Sequence, residues 1–109
     1  MKHDDKIRLR HMYDACQKVV AFCKGCSLES FCADEKLSLA VVRLLEVVGE
    51  AAVQISDNFQ EQHPEIPWRE ISGTRNRLIH GYFDVDMRIV WQIASTDIPA
   101  LFEQLKTLV

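Results

Sequence analysis

The residues best suited to chemistry lie in one nine-residue stretch, Thr74–Tyr82 (TRNRLIHGY). Arginine binds phosphate oxygens bidentately and stays charged. Histidine titrates near neutral pH and can act as a general acid or base. Arg75 and His80 therefore suit cleavage of a phosphodiester, and RNA could supply its own 2′-hydroxyl as the nucleophile, which would remove the need for a metal. From the residues alone, an Arg–His pair on a helix is more often a structural hydrogen-bond site.

An ideal helix over residues 74–80 would place the polar groups of this stretch on different faces. Asn76 and His80 would share one face, so that the amide could orient the imidazole. Arg75 and His80 would lie roughly 140° apart around the axis. Three arrangements would bring them to one ligand: the helix ends or distorts near Gly81, the Arg75 side chain wraps around the helix, or two copies of the motif face each other across a dimer.

The elements that must position this stretch are predicted to be helices. Apolar residues recur at spacings of three and four, the period of an amphipathic helix, and no useful strand alternation occurs. The expected helical segments are residues 4–24, 28–33, 35–62, 68–72 and 74–80, one after Asp86, and a last one after the chain changes direction at 95–97. Gly25 is expected to end the first helix, and Ser27 and Asp34 to cap the next two. The apolar surface of the 35–62 helix covers much of its circumference, which predicts that this helix is central. The prediction is an all-α, up-and-down bundle of four to five helices, with residues 1–109 as a single domain.

Three charged residues interrupt the apolar second long helix. Arg43, Glu46 and Glu50 are three and four positions apart and share one face, where Arg43 can pair with Glu46. The ordinary interpretation is a solvated edge with a surface ion pair worth less than about 1 kcal/mol. The alternative is a polar strip that lines a cleft or a subunit interface, and Arg77 of the motif is a further candidate for lining that cleft.

All four cysteines fall in the first third of the chain: Cys16, Cys23, Cys26 and Cys32. Cys23 and Cys26 form one C-x2-C unit, but zinc sites usually pair two such units. Cys16 and Cys23 also lie on an apolar helical stripe, where free cysteine behaves as a small hydrophobe. Core packing is therefore favoured over a metal site, and no cofactor is predicted.

Composition restricts the classes of protein to which the chain can belong. The net charge is −3, from 13 basic and 16 acidic side chains, so nucleic-acid binding would have to depend on a local basic patch. No apolar run approaches the roughly 18 residues of a membrane helix, and no signal peptide is recognisable. The expected location is the cytoplasm, without membrane association.

Four segments together resemble a known family. They are Leu9–Met12 (LRHM), Leu45–Ala52 (LEVVGEAA), Pro64–Ile71 (PEIPWREI) and Arg75–Tyr82 (RNRLIHGY). The spacing Arg75-x4-His80-x-Tyr82 resembles the Arg-x4-6-His signature of HEPN-domain ribonucleases, and the longer strings resemble their HepT-like branch. The resemblance covers nearly the whole chain.

This resemblance implies a helical homodimer in which two Arg–His motifs meet in a basic cleft. It implies a metal-independent RNase that acts as the toxin of a type VII toxin–antitoxin pair. Arg75 would hold the scissile phosphate, His80 would be the acid–base group, and Asn76 would occupy the polar position after the arginine. The antitoxin would be an MntA-like minimal nucleotidyltransferase, which neutralises the toxin by transferring AMP units to Tyr82.

A second function is compatible with the same resemblance. Other HEPN proteins keep the fold without cleaving RNA, as nucleotide-binding or partner-binding modules. The acidic net charge fits a non-catalytic subunit of a nucleotidyltransferase complex. Separately, the alternative to modification of Tyr82 is a tyrosine that packs as an anchor at the end of a helix.

Overall fold

The computed structural model describes residues 2–80 and 84–109, and for Ile79, His80 and Asp84 it describes the backbone only. The all-α class predicted from the sequence is confirmed for these residues, apart from one two-residue ladder. The helices are α1 (His3–Cys23), α2 (Leu28–Ala33), α3 (Glu35–Gln54), α4 (Asp57–Gln62), α5 (Trp68–Ser72), α6 (Thr74–Leu78), α7 (Met87–Gln92) and α8 (Ile98–Lys106). The strands β1 (Ile79–His80) and β2 (Asp84–Val85) pair antiparallel.

Helix α3 is central, as its broad apolar surface predicted. It packs along α1 and also contacts α2, α5, α6 and α7, while α1 packs on α8 as well. The buried apolar side chains of these helices form one continuous core. Cys16 lies fully inside that core, which confirms the packing prediction for this cysteine.

Local sequence signals set several helix ends. Gly25, just after α1, has a φ of 78°, the left-handed conformation in which glycine ends many helices. The Ser27 side chain accepts a hydrogen bond from the Ser30 backbone N–H and caps α2. Asp34 caps α3 in the same way through the Leu37 N–H, at 3.0 Å. These three ends follow the sequence prediction because each depends on residues only a few positions apart.

The prediction of one long helix through residues 35–62 is wrong at its C-terminal part. Helix α3 ends at Gln54, and α4 begins anew after Ser56, whose hydroxyl accepts from the Phe59 N–H. The carboxylate of Asp5 holds this junction: the Ser56 N–H donates to Oδ1 at 2.8 Å and the Ser56 hydroxyl donates to Oδ2 at 2.6 Å. A hydrogen-bonded pair separated by 51 positions thus holds the junction at which α3 ends, together with the local cap that Ser56 provides for α4.

Asp5 therefore has a tertiary role at the α3–α4 junction in addition to its place at the start of α1. Its side chain is only 3% exposed. Burial alone would raise the pKa of Asp5, but the hydrogen bonds from Ser56 and the charge of Lys2 outweigh it and lower the pKa below the usual value of 3.8. Because the folded state binds this proton less tightly, Asp5 stabilises the fold above pH 3.8 and loses that contribution as the pH falls through its lowered pKa.

We expect Asp5→Ala to lower the free energy of unfolding at neutral pH by about 1–3 kcal/mol, because it leaves the Ser56 N–H without its acceptor. Asp4→Ala is the matched control, since Asp4 is exposed on the same turn. Urea unfolding at a series of pH values measures both. The difference in the free energy of unfolding between Asp5→Ala and Asp4→Ala should narrow as the pH falls below about 4. A difference that does not change with pH would contradict the role assigned to Asp5.

The predicted change of direction at residues 95–97 is also wrong. Helices α7 and α8 are joined by a π-helical turn, Ile93–Asp97, and the residues on either side of it keep right-handed helical dihedral angles. The widened turn lies just before Pro99, whose ring and missing N–H disrupt the regular pattern of helix hydrogen bonds. The result is one continuous helical run from Met87 to Lys106.

None of the helices in the described part of the chain is both long enough and apolar enough to cross a membrane.

Candidate active site

The motif segment consists of a short helix followed by extended backbone. Helix α6 ends at Leu78, and Ile79 and His80 lie in β1, with His80 opposite Asp84. The Leu78 carbonyl accepts a hydrogen bond from the Asp86 N–H at 3.0 Å, so strand pairing replaces the next helical turn. The expectation of a helix over residues 74–80 is therefore wrong, and with it the shared helix face of Asn76 and His80. Of the three arrangements, the backbone resembles the first, a helix that ends early, although α6 already ends at Leu78. Convergence of Arg75 and His80 on one ligand stays a prediction.

Two buried residues fix α6 to the rest of the bundle. Leu78 is fully buried in the core. Thr74 is 5% exposed, and its hydroxyl donates to the Ile71 carbonyl of α5 at 2.7 Å. Because both anchors point inward, Arg75 and Asn76 between them are exposed.

Arg75 lies in a small cavity of about 200 Å³ between α3 and the end of α5. The residues that line it with Arg75 are Glu46, Gly49, Glu50, Val53 and Ser72. Among the side chains that the structure describes, none forms an ion pair with Arg75, although two carboxylates line the same cavity. An exposed guanidinium without a counter-ion keeps its fork of donors available for a phosphate.

The carboxylates of this cavity are paired with Arg43 instead. Arg43 Nη1 lies 3.4 Å from Glu46 Oε2 and 3.8 Å from Glu50 Oε1, which confirms the predicted pair of Arg43 with Glu46. Glu46 is 28% exposed, and Arg43 and Glu50 are about two-thirds exposed, so these pairs contribute little to stability. Glu46, half-buried, and Glu50, exposed, thus line a cavity that Arg75 shares, and their role at a subunit interface stays a prediction.

Arg77 lies apart from Arg75. Its Nη2 is 3.3 Å from Asp97 Oδ2 in the π-helical turn, and it lines a separate groove between α3, α5 and α8. The structure therefore does not bring Arg77 and Arg75 to the same cavity. The contact with Asp97 ties α6 to the continuous α7–α8 run.

The structure describes only the backbone of His80 and does not describe Tyr82, the two remaining predicted site residues. The backbone of His80 follows directly from α6 through β1, which places the residue at the exit of the motif helix. Tyr82 lies outside the described residues. Their roles stay predictions.

Close packing of α3 against α5 brings the two walls of the Arg75 cavity together. A Cβ added at Gly49 would lie 3.1 Å from the Ile71 carbonyl oxygen, closer than most Cβ contacts in proteins, so α5 would have to shift slightly. Gly49 therefore lets α5 approach α3, and Ser72 at the end of α5 reaches the cavity. Gly49 and Ser72 were not among the predicted site residues; the glycine within an otherwise apolar helix was the signal that could have identified this contact.

The cysteines do not gather into a metal centre. Cys16 is buried, Cys23 and Cys26 are half-buried, and Cys32 is exposed. Burial raises the pKa of Cys16 to about 12, so its thiol is inert at neutral pH. Among the side chains that the structure describes, which exclude those of His80 and Asp84, no group of three or more His, Cys, Asp or Glu residues is placed to hold a metal ion.

The fold and this site define an all-α protein with an arginine–histidine motif at the end of a short helix, and comparison with known proteins identifies its family. The chain belongs to the HepT-like ribonuclease family, whose model ("Ribonuclease HepT-like") matches residues 12–108. A relative from Thermococcus cleftensis named "Probable ribonuclease HepT" is 41% identical, over 97% of this chain and 99% of its own length. The resemblance inferred from the sequence motifs is thereby confirmed.

Two further relatives have the same kind of name. A protein of Caldanaerobacter subterraneus subsp. tengcongensis, named as a candidate RNase, is 41% identical over 92% of this chain and 89% of its own length. Another from Methanocaldococcus jannaschii, also named as a candidate RNase, is 34% identical over 96% of both chains. No solved structure matches the chain significantly.

Proposed function

We propose that this protein is a metal-independent endoribonuclease that acts as the toxin of a toxin–antitoxin pair. The observation that carries the proposal is membership of the HepT-like ribonuclease family over residues 12–108, with Arg75, Asn76 and His80 present at the motif positions. The exposed Arg75, without an ion-pair partner among the described side chains, supports a phosphate-binding role.

In the proposed reaction Arg75 binds the scissile phosphate and His80 transfers protons. A general base takes the proton from the RNA 2′-hydroxyl, whose oxygen attacks the phosphorus, and the bond from phosphorus to the 5′-oxygen breaks. A general acid protonates that leaving oxygen, so the products are a 2′,3′-cyclic phosphate and a 5′-hydroxyl. Asn76, exposed beside Arg75, is the polar group that supports substrate binding.

A homodimer would supply the two proton-transfer groups that this reaction needs. One imidazole cannot be base and acid at the same instant, whereas two copies of the motif would provide one of each. The outward face of α3 beside the Arg75 cavity offers two exposed apolar side chains, Leu39 and Val53, on either side of the Arg43–Glu46–Glu50 cluster. An interface at this face would bring two Arg75 cavities together into one cleft.

The test of the nuclease is RNA cleavage by the purified protein with EDTA present. We expect cleavage to persist, because the proposed reaction uses no metal, and we expect expression of the protein to arrest growth. The alternative function is a non-catalytic subunit of a nucleotidyltransferase complex, which the acidic net charge of −3 favours. Co-purification with the transferase, without cleavage and without growth arrest, would establish that alternative instead.

We also propose that Tyr82 is where the antitoxin acts. The tyrosine oxygen would attack the α-phosphorus of ATP, lose its proton and release pyrophosphate, which leaves AMP on the side chain. If Tyr82 lies near Arg75 and His80, as their places in one motif predict, the added phosphate charge would compete with RNA for the same cations. The partner in this reaction is a minimal nucleotidyltransferase of the MntA-like kind.

Intact mass measured with the transferase and ATP should show additions of one or more AMP units and a parallel loss of RNA cleavage. Tyr82→Phe should prevent both changes. The chain has two tyrosines, so Tyr13→Phe is the matched control and should still be modified. AMP units on Tyr82→Phe would show that the modified residue has been misassigned.

A further inference from the structure

A second groove adjoins the Arg75 cavity across the ridge formed by α3. This α1–α3 groove has a volume of about 560 Å³ and is lined by Arg8, His11, Val47, Glu50, Ala51 and Gln54. Glu50 lines both the groove and the Arg75 cavity, so the two are neighbours on one face of the molecule. The groove is therefore a candidate extension of the same binding surface.

Arg8 is the unusual member of this groove. It is half-buried, and within residues 2–80 and 84–109 it forms neither an ion pair nor a side-chain hydrogen bond. Removing a guanidinium partly from water without a counter-ion costs free energy. An anion bound in the groove would offset that cost.

The other arginine on this part of α1 has its own partners. Arg10 Nε lies 3.2 Å from Asp14 Oδ1, and its guanidinium stacks over the Tyr13 ring at 5.2 Å. Two positions along a helix correspond to about 200° of rotation, so Arg8 and Arg10 face opposite sides of α1. Of these two cations, Arg8 is the one that faces the groove.

The local charge of this face differs from that of the whole chain. Arg43 lies within 4 Å of both Glu46 and Glu50 and offsets part of their charge. Arg8 and Arg75 stand on the two sides of this cluster without ion pairs among the described side chains. Arg43 and the charged side chains that line the two cavities are three arginines and two carboxylates, an excess of one positive charge, whereas the chain carries −3 overall.

We propose that Arg8, with His11 and Gln54 as hydrogen-bond donors, forms a second phosphate subsite, which binds a backbone phosphate of the RNA flanking the phosphate held at Arg75. His11 lies one helical turn after Arg8 on the same face, and in either neutral tautomer one ring nitrogen can donate. The Gln54 amide also donates. This subsite depends on the proposed function, because its ligand is the substrate of the nuclease.

The salt dependence of RNA binding tests the subsite separately from catalysis. The probe is a fully 2′-O-methylated single-stranded RNA, which binds but lacks the attacking hydroxyl. For each RNA phosphate that a variant no longer neutralises, the slope of log K against log salt concentration should decrease in magnitude by about 0.7. For Arg8→Gln we expect this decrease in slope, together with about threefold to tenfold weaker RNA binding at low salt. Arg8→Lys keeps the charge and should keep the wild-type slope.

Arg10→Gln is the matched control: it removes the same charge from the opposite side of the same helix, and we expect it to alter the slope less than Arg8→Gln does. Helical circular dichroism verifies that each variant is folded. Suppose that Arg8→Gln and Arg10→Gln give equal slopes of log K for RNA binding against log salt concentration, while the wild type cleaves RNA in EDTA. The proposed phosphate subsite is then wrong, and the nuclease assignment stands. If the wild type neither cleaves nor binds RNA, the proposed function fails and the subsite fails with it.

Discussion

Replacing Arg75 by glutamine is expected to lower the rate of RNA cleavage by about a hundredfold or more, the usual effect of removing a group that stabilises developing charge in a transition state. Arg75 is exposed, lines a cavity of about 200 Å³ and has no ion-pair partner among the described side chains. Its guanidinium is therefore available to the phosphate. Glutamine keeps hydrogen-bond donors but removes the charge and the bidentate fork.

Two further variants separate charge from geometry at this position. Arg75→Lys keeps the charge without the fork, so we expect a rate between those of the wild type and Arg75→Gln. Arg69→Gln removes the same charge from an exposed position in α5 and should cleave at nearly the wild-type rate. Initial rates in EDTA, at substrate concentrations below and above KM, measure all three. Equal rates for Arg75→Gln and Arg69→Gln would show that Arg75 does not hold the scissile phosphate.

Replacing His80 by alanine is expected to lower the cleavage rate by about 10²–10⁴-fold, the contribution of a general acid–base group. The backbone places His80 two residues after the end of α6, as the second residue of β1, opposite Asp84. Leu78, two residues earlier, is buried in the core and anchors the end of α6, from which the His80 backbone continues. The loss should appear mainly in kcat, because His80 acts on protons that move in the transition state.

His3→Ala is the control for His80→Ala, because His3 is exposed at the first turn of α1. We expect this variant to cleave RNA and arrest growth as the wild type does, whereas His80→Ala should do neither. His11 and His63 are less suitable controls, since His11 lines the α1–α3 groove and His63 packs on Phe59. Equal cleavage by His80→Ala and the wild type would remove His80 from the mechanism.

The motif could be found from the sequence, but its surroundings could not. Arg75 and His80 stand out by residue type and spacing, and the four family strings identify the branch to which they belong. That Glu46 and Glu50 line a cavity with Arg75 depends on how α5 and α6 lie against α3, and hence on the contact between Gly49 and Ile71. Spacing placed the two carboxylates on one face of α3 but did not indicate which residues that face contacts.

Tertiary contacts also corrected the predicted helix ends. Periodicity extended the motif helix to residue 80 because the apolar pattern continues, yet the Leu78 carbonyl bonds to the Asp86 N–H and the chain becomes extended. In the same way the apolar pattern continues past Gln54, where the Asp5 carboxylate holds Ser56. Each correction involves a partner outside the local apolar pattern, although Ser56 also gives a local signal by capping α4 through the Phe59 N–H.

Sequence alone was enough to predict the helical class, the single central helix, the ends set by Ser27 and Asp34, and the residues that carry the motif. These features follow from interactions within one or two helical turns, which the order of residues specifies directly. The tertiary structure was needed to show that the motif helix stops at Leu78, that Arg77 pairs with Asp97 away from Arg75, and that Arg8 faces a groove beside the Arg75 cavity. Such arrangements depend on how the helices pack, because the residues that meet in them lie on different elements of the chain.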